Sequence, residues 1–447
     1  MTPAFGAPFG GEVDVAVIGA GAAGIAAARR LAGGKLRVAV VEASGRVGGR
    51  CVTDTGIFGV PCDLGARWIR APDLNPVTPL ATKSGFDIYP APPGQRVRIG
   101  RRNAREGEME DYLTATVRAS RAIAEAGRGR LDGSAAQALP KDLGEWQRTA
   151  EFLLGPFTCG KDLAEVSAAD FARAAERDSD TLCRQGFGAL VAKLGEGLPV
   201  QLSTPVSRID WGGRAGVDID TAGGRLTARA VIVTVSTGVL AGDMLKFTPE
   251  LPRRQLDAIA KLGLGSYDHI VLELPGNPLG LQRDEMVLEK SNSNRTAALL
   301  ANLSGTPLCS VEVGGAFGRE LAATGDKAMV AFALDWLAGL YGADVKKAVK
   351  RTHATRWNND PWTLGAFSVA SPGGQWARSA LAEPLRDRVF FAGEATHETL
   401  WGTVGGAWAS GERAADAVLK RITPVADTPE PKRPAPPPPP RRRPGPG

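Results

Sequence analysis

The chain has 447 residues, 43% of them hydrophobic and 23% charged, with a formal net charge of +6. Residues 423–447 contribute +3 of that charge, so the rest is only mildly basic and argues against a nucleic-acid surface. Five cysteines without C-x-x-C spacing and three histidines speak against a disulfide framework and a metal centre.

Residues 1–11 carry neither a basic nor an apolar region of the kind a signal peptide needs, so a cytoplasmic protein is expected. The longest apolar run, Val13 to Ala28, is interrupted by glycines, which speaks against a membrane span. Within it, Val13 to Ile18 is β-branched and apolar, as a strand buried in a parallel sheet should be. Gly19, Gly21 and Gly24 follow as G-x-G-x-x-G and open an alanine-rich helix over Ala22 to Ala32, with Ala22 and Ala23 in its first turn. Leu36 to Val41 is a second buried strand, ending at Glu42. This strand–helix–strand unit is expected to bind a dinucleotide. Gly19 permits the tight turn, Gly21 the approach of the pyrophosphate, and Gly24 close packing of helix on strand. Glu42 is placed to accept from the ribose hydroxyls, which disfavours a 2′-phosphate and leaves NAD or FAD.

The next residues, Ala43-Ser44-Gly45-Arg46-Val47-Gly48-Gly49-Arg50, resemble the E-A-x-x-R-x-G-G-R signature of flavin-dependent amine oxidases. The resemblance implies FAD, with Ala43, Arg46, Gly49 and Arg50 around its diphosphate and ribityl chain. Cys62 to Ile69 resembles the segment that runs beneath the flavin in that family, with Gly65 and Ala66 against the ring and Arg67 and Trp68 flanking it. Whether Arg67 or another arginine clamps a substrate carboxylate stays open.

From Arg101 to Arg184 the pattern turns helical. Met109, Tyr112, Leu113, Thr116 and Val117 share one predicted face, and Ser167 is the predicted cap of a following helix. Gln185 to Ile209 resembles a return to the cofactor domain, with Val206 at the position that pairs with adenine. A hairpin is predicted at Gly216 to Gly224, and a buried strand at Ala230 to Ser236 that includes Val235. Relatives place a lysine shortly after the equivalent of Gly265 to hold a water near flavin N5. Here the best match is His269, whose imidazole could hold that water or carry a proton.

Trp357 to Ser368 resembles the family segment in which a tryptophan abuts the flavin. Trp357 takes that place, Ala366 matches the cysteine that attaches flavin in monoamine oxidases, and Phe367 matches one wall of an aromatic amine cage. The resemblance therefore implies non-covalent FAD. Val389 to Thr396 and Trp401 to Gly411 match the C-terminal signature, with Gly393 and Glu394 beside the diphosphate and a helix starting at Thr403-Val404 that aims its N-terminus at the flavin. Thr403 falls where many relatives have the second cage aromatic, so the cage is incomplete unless Trp401, assigned with Thr403, Phe367 and Arg67 to the substrate pocket, compensates. Thr423 to Gly447 holds 11 prolines and reads as a disordered tail.

The expected fold is α/β: a Rossmann-like FAD-binding domain (GR2-type, parallel sheet with a βαβ unit) interleaved with an α+β substrate-binding domain. Residues 1–100, 185–262 and 356–422 are assigned to the first, 101–184 and 263–355 to the second, and 423–447 to the tail. The expected reaction is oxidation of an amine or amino-acid C–N bond by hydride transfer to flavin N5. Imine, then aldehyde or keto acid, is the product, and O2 or another acceptor takes the electrons. Desaturation of an apolar substrate, as in phytoene desaturase-like or protoporphyrinogen oxidase-like relatives, and a non-catalytic flavoprotein adaptor are the alternatives. A homodimer and a partner for the tail are left open.

Overall fold

Eight strands form the larger of the two main sheets in the structure, a computed structural model that describes residues 10–34, 36–175, 180–213 and 216–422. The expectations for the tail and for residues 1–9 lie outside the described residues. At the centre of this sheet, strand Gly11–Ile18 runs parallel to Val38–Val41 on one edge and to Gly224–Val233 on the other. Val15, Ala16, Val17, Val40, Val41, Val231 and Ile232 are buried on both faces, as a parallel sheet covered by helices requires.

Helix Ala22–Ala32 covers one face and packs on helix Val404–Ile422. The approach is close: a Cβ at Gly411 would stand 2.1 Å from the Ala23 carbonyl oxygen. The first and last described segments are thereby laid side by side over the cofactor turn.

The predicted hairpin and the predicted buried strand are one continuous element. Strand Gly224–Val233 pairs with Val217–Thr221 through its first half and with Val389–Phe391 through its last three residues, while Gly11–Ile18 occupies its other edge. Val235 lies just past its end, on the chain leading to the Ser236-capped helix Thr237–Ala241.

The second sheet has seven strands, in the order Thr352–Ala354, Tyr267–Glu273, Leu308–Gly314, Ala298–Ala301, Glu285–Glu289, Arg96–Ile99 and Arg102–Asn103. Arg96–Ile99 pairs with Glu285–Glu289 in this sheet, so the chain leaves the first sheet earlier than the expected boundary at residue 100. Helices Gly315–Thr324 and Asp326–Tyr341 pack against it around Phe317, Met329 and Leu337.

Helix Glu106–Gly127 corrects the predicted apolar face. It buries Tyr112, Ala115, Ala119 and Ile123, whereas Leu113 and Val117 are 49% and 44% exposed. Small residues win that face because the helix lies close to Ala168–Arg173; a Cβ at Gly127 would be 2.1 Å from the Ala168 carbonyl oxygen. Ser167 caps the second helix, accepting from Asp170 N at 2.9 Å. Helix Gln147–Phe152 continues into a π-helical turn, Leu153–Phe157, that contains Pro156 and presents Phe157 and Thr158 to the central cavity. No described helix is long and apolar enough to cross a membrane. Among the described residues there is also no group of three acidic, cysteine or histidine side chains that could hold a metal ion.

Candidate active site

One cavity runs from the glycine turn of the first sheet to the edge of the second. Its cofactor-like end is walled by Gly19, Gly21, Ala22, Ala23, Glu42, Ala43, Arg46 and Gly49, with Val206 and Val235 across from them. Gly24 is absent from that wall. Its work is inside the turn, where a Cβ would come within 1.8 Å of the Gly19 carbonyl oxygen. Gly21 and Gly48 form a backbone bridge, and a Cβ on Gly49 would meet Gly21 Cα at 3.2 Å, so only glycines let these two loops line one groove.

Glu42 is buried and fastens the turn. Its Oε2 accepts from Ala20 N at 2.7 Å and its Oε1 from Ser44 N and Oγ at 2.8 Å, which leaves Oε2 acceptor capacity toward the cavity. Arg46 donates to Gly49 O at 2.8 Å and braces the glycine loop. Arg50 donates to Ala366 O at 2.6 Å and to Glu394 Oε1 at 2.9 Å. Glu394 also accepts from Ser368 N, Ser368 Oγ and Gly402 N. Behind it, buried Arg378 grips Asp170 through two 2.7 Å bonds and donates to Ser368 Oγ at 3.0 Å. A chain of charge-assisted bonds thus joins the helical insertion to the cavity wall.

The middle of the cavity is lined by Gly65, Ala66, Arg67, Trp68, Trp357, Ala366, Gly393, Thr403 and Val404. Gly65 has no room for a side chain, since a Cβ would lie 2.0 Å from Arg50 O and 3.0 Å from the Trp357 ring. Trp357 is fixed by its indole N–H donating to Leu64 O at 2.9 Å. Thr403 caps helix Val404–Ile422: its hydroxyl donates to Leu400 O and accepts from Gly406 N at 3.0 Å. These surfaces suit a planar group and an anion. A flat glycine floor, an indole wall, bare helix N–H groups and arginines are what an FAD-sized dinucleotide needs.

At the far end four rings meet. Tyr267 lies 6.0 Å from Phe157, 6.0 Å from Phe367 and 5.6 Å from His269, centroid to centroid. Trp401 is not among them. It is buried away from the cavity, donates its indole N–H to Asp170 O and lies under the Arg378 guanidinium at 5.0 Å. Tyr267 and Phe157, which the sequence did not single out, join Phe367 there instead.

His269 lies on the cavity wall, but its nitrogens are taken. Nδ1 is 2.5 Å from Glu312 Oε2 and Nε2 is 3.0 Å from Gly65 O. Both nitrogens are thus occupied, and neither is left for the water that a lysine holds in relatives. Arg67 meets the same carboxylate at 3.0 Å and donates to Asp63 O, so it is anchored rather than waiting for a ligand. Burial pushes the Glu312 carboxyl up, but the His269 ring and the Arg67 guanidinium outweigh it and hold it at about 2. Glu312 is the main omission of the sequence reading. Its one local signal is an acid within the mostly apolar, fully buried run Leu308–Gly314.

The model of flavin containing amine oxidoreductases matches residues 22–419. Lysine-specific histone demethylase 2 of Homo sapiens is 28% identical over 441 residues, which cover 91% of this chain and 53% of the relative. Polyamine oxidase 4 of Oryza sativa subsp. japonica is 28% identical over 442 residues, 92% of this chain and 89% of the relative. The chain spans about half the length of the demethylase relatives it matches. In fold it is similar to wild-type putrescine oxidase bound to putrescine (TM-score 0.77, 22% identity, 92% of this chain and 100% of that one). It is likewise similar to cyclohexylamine oxidase from Brevibacterium oxydans IH-35A (TM-score 0.78, 21% identity, 92% and 100%). With a family model matched across both sheets and the cavity between them, the chain belongs to the flavin-containing amine oxidoreductases.

Proposed function

We propose that the chain binds FAD non-covalently in this cavity and oxidises the C–N bond of an amine. The observation that carries the reading is the continuity of one cavity from the Gly19–Gly24 turn to the Phe157–Tyr267–Phe367 ring cluster. Glu42, Arg46, Arg50 and the N-terminus of helix Val404–Ile422 would hold the dinucleotide, and Gly65, Ala66, Trp68 and Trp357 would sandwich its ring. When bound, the flavin supplies the oxidising power, taking two electrons with a hydrogen from the carbon beside the nitrogen.

The protein's own part is to orient and to exclude. The ring cluster walls the substrate end and keeps water from the reacting carbon. His269, bonded at both nitrogens, has neither free to serve as a base, so the amine arrives in its neutral form or gives its proton to solvent. No nucleophile is needed. Ala366 offers none, and burial pushes the Cys51 thiol on the cavity wall up to about 12, which keeps it unreactive. The imine product hydrolyses to a carbonyl compound and ammonia or an amine, and O2 or another acceptor takes the electrons.

The test is the visible spectrum of the purified protein, titrated without oxygen against amines and amino acids and then opened to air. Bleaching by one class names the reaction, and the speed of recolouring separates oxidase from dehydrogenase. A bound flavin that no amine bleaches would sink the reading in favour of desaturation.

A further inference from the structure

We infer, building on the amine-oxidising reading above, that the substrate end of the cavity selects an amine that also bears a carboxylate, as an α-amino acid does, over a diamine or polyamine. Two cations, Arg67 and Arg70, face this end beside the doubly bonded His269 ring. Their acid partners stand behind the wall. Glu312 serves both Arg67 and His269, Asp180 accepts from Arg70, and neither acid lines the cavity. The two guanidiniums line the cavity and the acids that pair with them do not, so the positive ends stand nearer the substrate in a space sheltered from water.

The carboxylates that do line the cavity do not offset this among the described residues. Glu42 closes the glycine turn, and Glu394 is saturated by Arg50, Ser368 and Gly402. Asp360 stands on the turn whose Thr363 carbonyl accepts from Ser236, at the first sheet, and its Oδ1 is taken by Trp362 N. A second ammonium on the substrate would meet the Arg67 and Arg70 guanidiniums at this end.

Arg70 is the group built to meet an anion. One of its Nη atoms reaches Asp180, its guanidinium carbon lies 5.2 Å from the Trp68 ring centre, and its other donors bond no described residue. A guanidinium seated on an indole with one fork open matches a carboxylate bidentately. The ring cluster beside it would take an apolar side chain. The reaction then balances as oxidative deamination. A hydride equivalent leaves the α-carbon for the family's flavin, the nitrogen loses a proton, and water converts the imino acid to a keto acid and ammonia.

The test uses flavin-loaded full-length protein and three probes: L-phenylalanine, phenylethylamine (the same skeleton without the carboxylate) and putrescine. Without oxygen, phenylalanine is expected to bleach the flavin at least tenfold faster than phenylethylamine at equal concentration, with putrescine slowest. Faster bleaching by putrescine or phenylethylamine overturns the inference while leaving amine oxidation standing. A second arm does not depend on turnover. Calorimetric titration should show phenylacetate binding at least tenfold tighter than phenylethanol, with that margin lost in Arg70→Gln and partly restored in Arg70→Lys. If no amine bleaches the flavin yet the Arg70-dependent margin is seen, the anion site stands and the amine reading falls. Equal binding of the two ligands, or a margin that survives Arg70→Gln, overturns the inference.

Discussion

His269 and Glu312 are direct cross-strand partners in the antiparallel pair Tyr267–Glu273 and Leu308–Gly314, and their side chains meet at 2.5 Å on the cavity side of that pair. The ladder register holds the carboxylate opposite the imidazole, so neither side chain has to search for the other. Glu312→Gln removes the carboxylate that joins the buried His269 ring and Arg67 guanidinium. It is expected to cost about 3–5 kcal/mol, read by chemical denaturation at neutral pH. Because the folded carboxyl is held down at about 2, its contribution is complete above the ordinary carboxylate range and is lost as pH falls toward 2. The acid limb of the wild-type stability curve should therefore be shallower in Glu312→Gln; parallel limbs would refute the assignment.

Asp268, on the opposite face of the same strand, behaves in the reverse sense. Burial pushes its carboxyl up to about 6, although Trp357 N and Thr355 Oγ1 both donate to it. A raised carboxyl favours the folded state while protonated, and that advantage disappears as pH rises through 6. Asp268→Asn, which keeps an acceptor for both donors, should gain on the wild type by on the order of 2 kcal/mol between pH 4 and pH 8. Denaturation series at the two pH values decide it. A constant difference would show that Asp268 does not titrate in this window.

Arg378 and Asp170 are both almost fully buried and paired through two bonds. Arg378→Met strands the carboxylate and is expected to cost about 3–5 kcal/mol, whereas adding Asp170→Asn should recover part of that loss. Strict additivity in this double-mutant cycle would mean that the pair is not coupled. Because the chain of bonds continues to Glu394 and Arg50, flavin content on purification should fall with Arg378→Met as well.

The corrected face of helix Glu106–Gly127 gives a simpler check. Leu113→Gln, on the exposed side, should change stability by no more than about 0.5 kcal/mol, whereas Ile123→Ala should cost about 2–5 kcal/mol. Equal costs would restore the face expected from periodicity.

How much of this was legible in the sequence follows from the distance over which each feature is made. The glycine turn and Glu42 lie within one strand–helix–strand unit, where spacing alone sets geometry, and the first-sheet strands and the Ser167 cap are local in the same way. Trp401 misled because aromaticity near a glycine-rich segment does not say which way the ring turns. Gly402, with φ of +67°, bends the chain, and the indole swings inward to Asp170. Glu312 was out of reach for another reason. It lies 43 residues from His269, and only the pairing register brings them together. Phe157 likewise needs a π-helical turn that composition does not announce.

The strand Gly224–Val233 changes neighbours along its length, from Val217–Thr221 to Val389–Phe391. This has a consequence for biosynthesis. A nascent chain that has emerged only as far as the second sheet already holds the nucleotide turn, yet its central strand still has an open edge and helix Ala22–Ala32 lacks its cover. Closure waits for residues 389–422, so the order of events on the ribosome is sheet first, lid of the domain last. Any fragment ending before Val389 should be a client for chaperones rather than a smaller version of the enzyme.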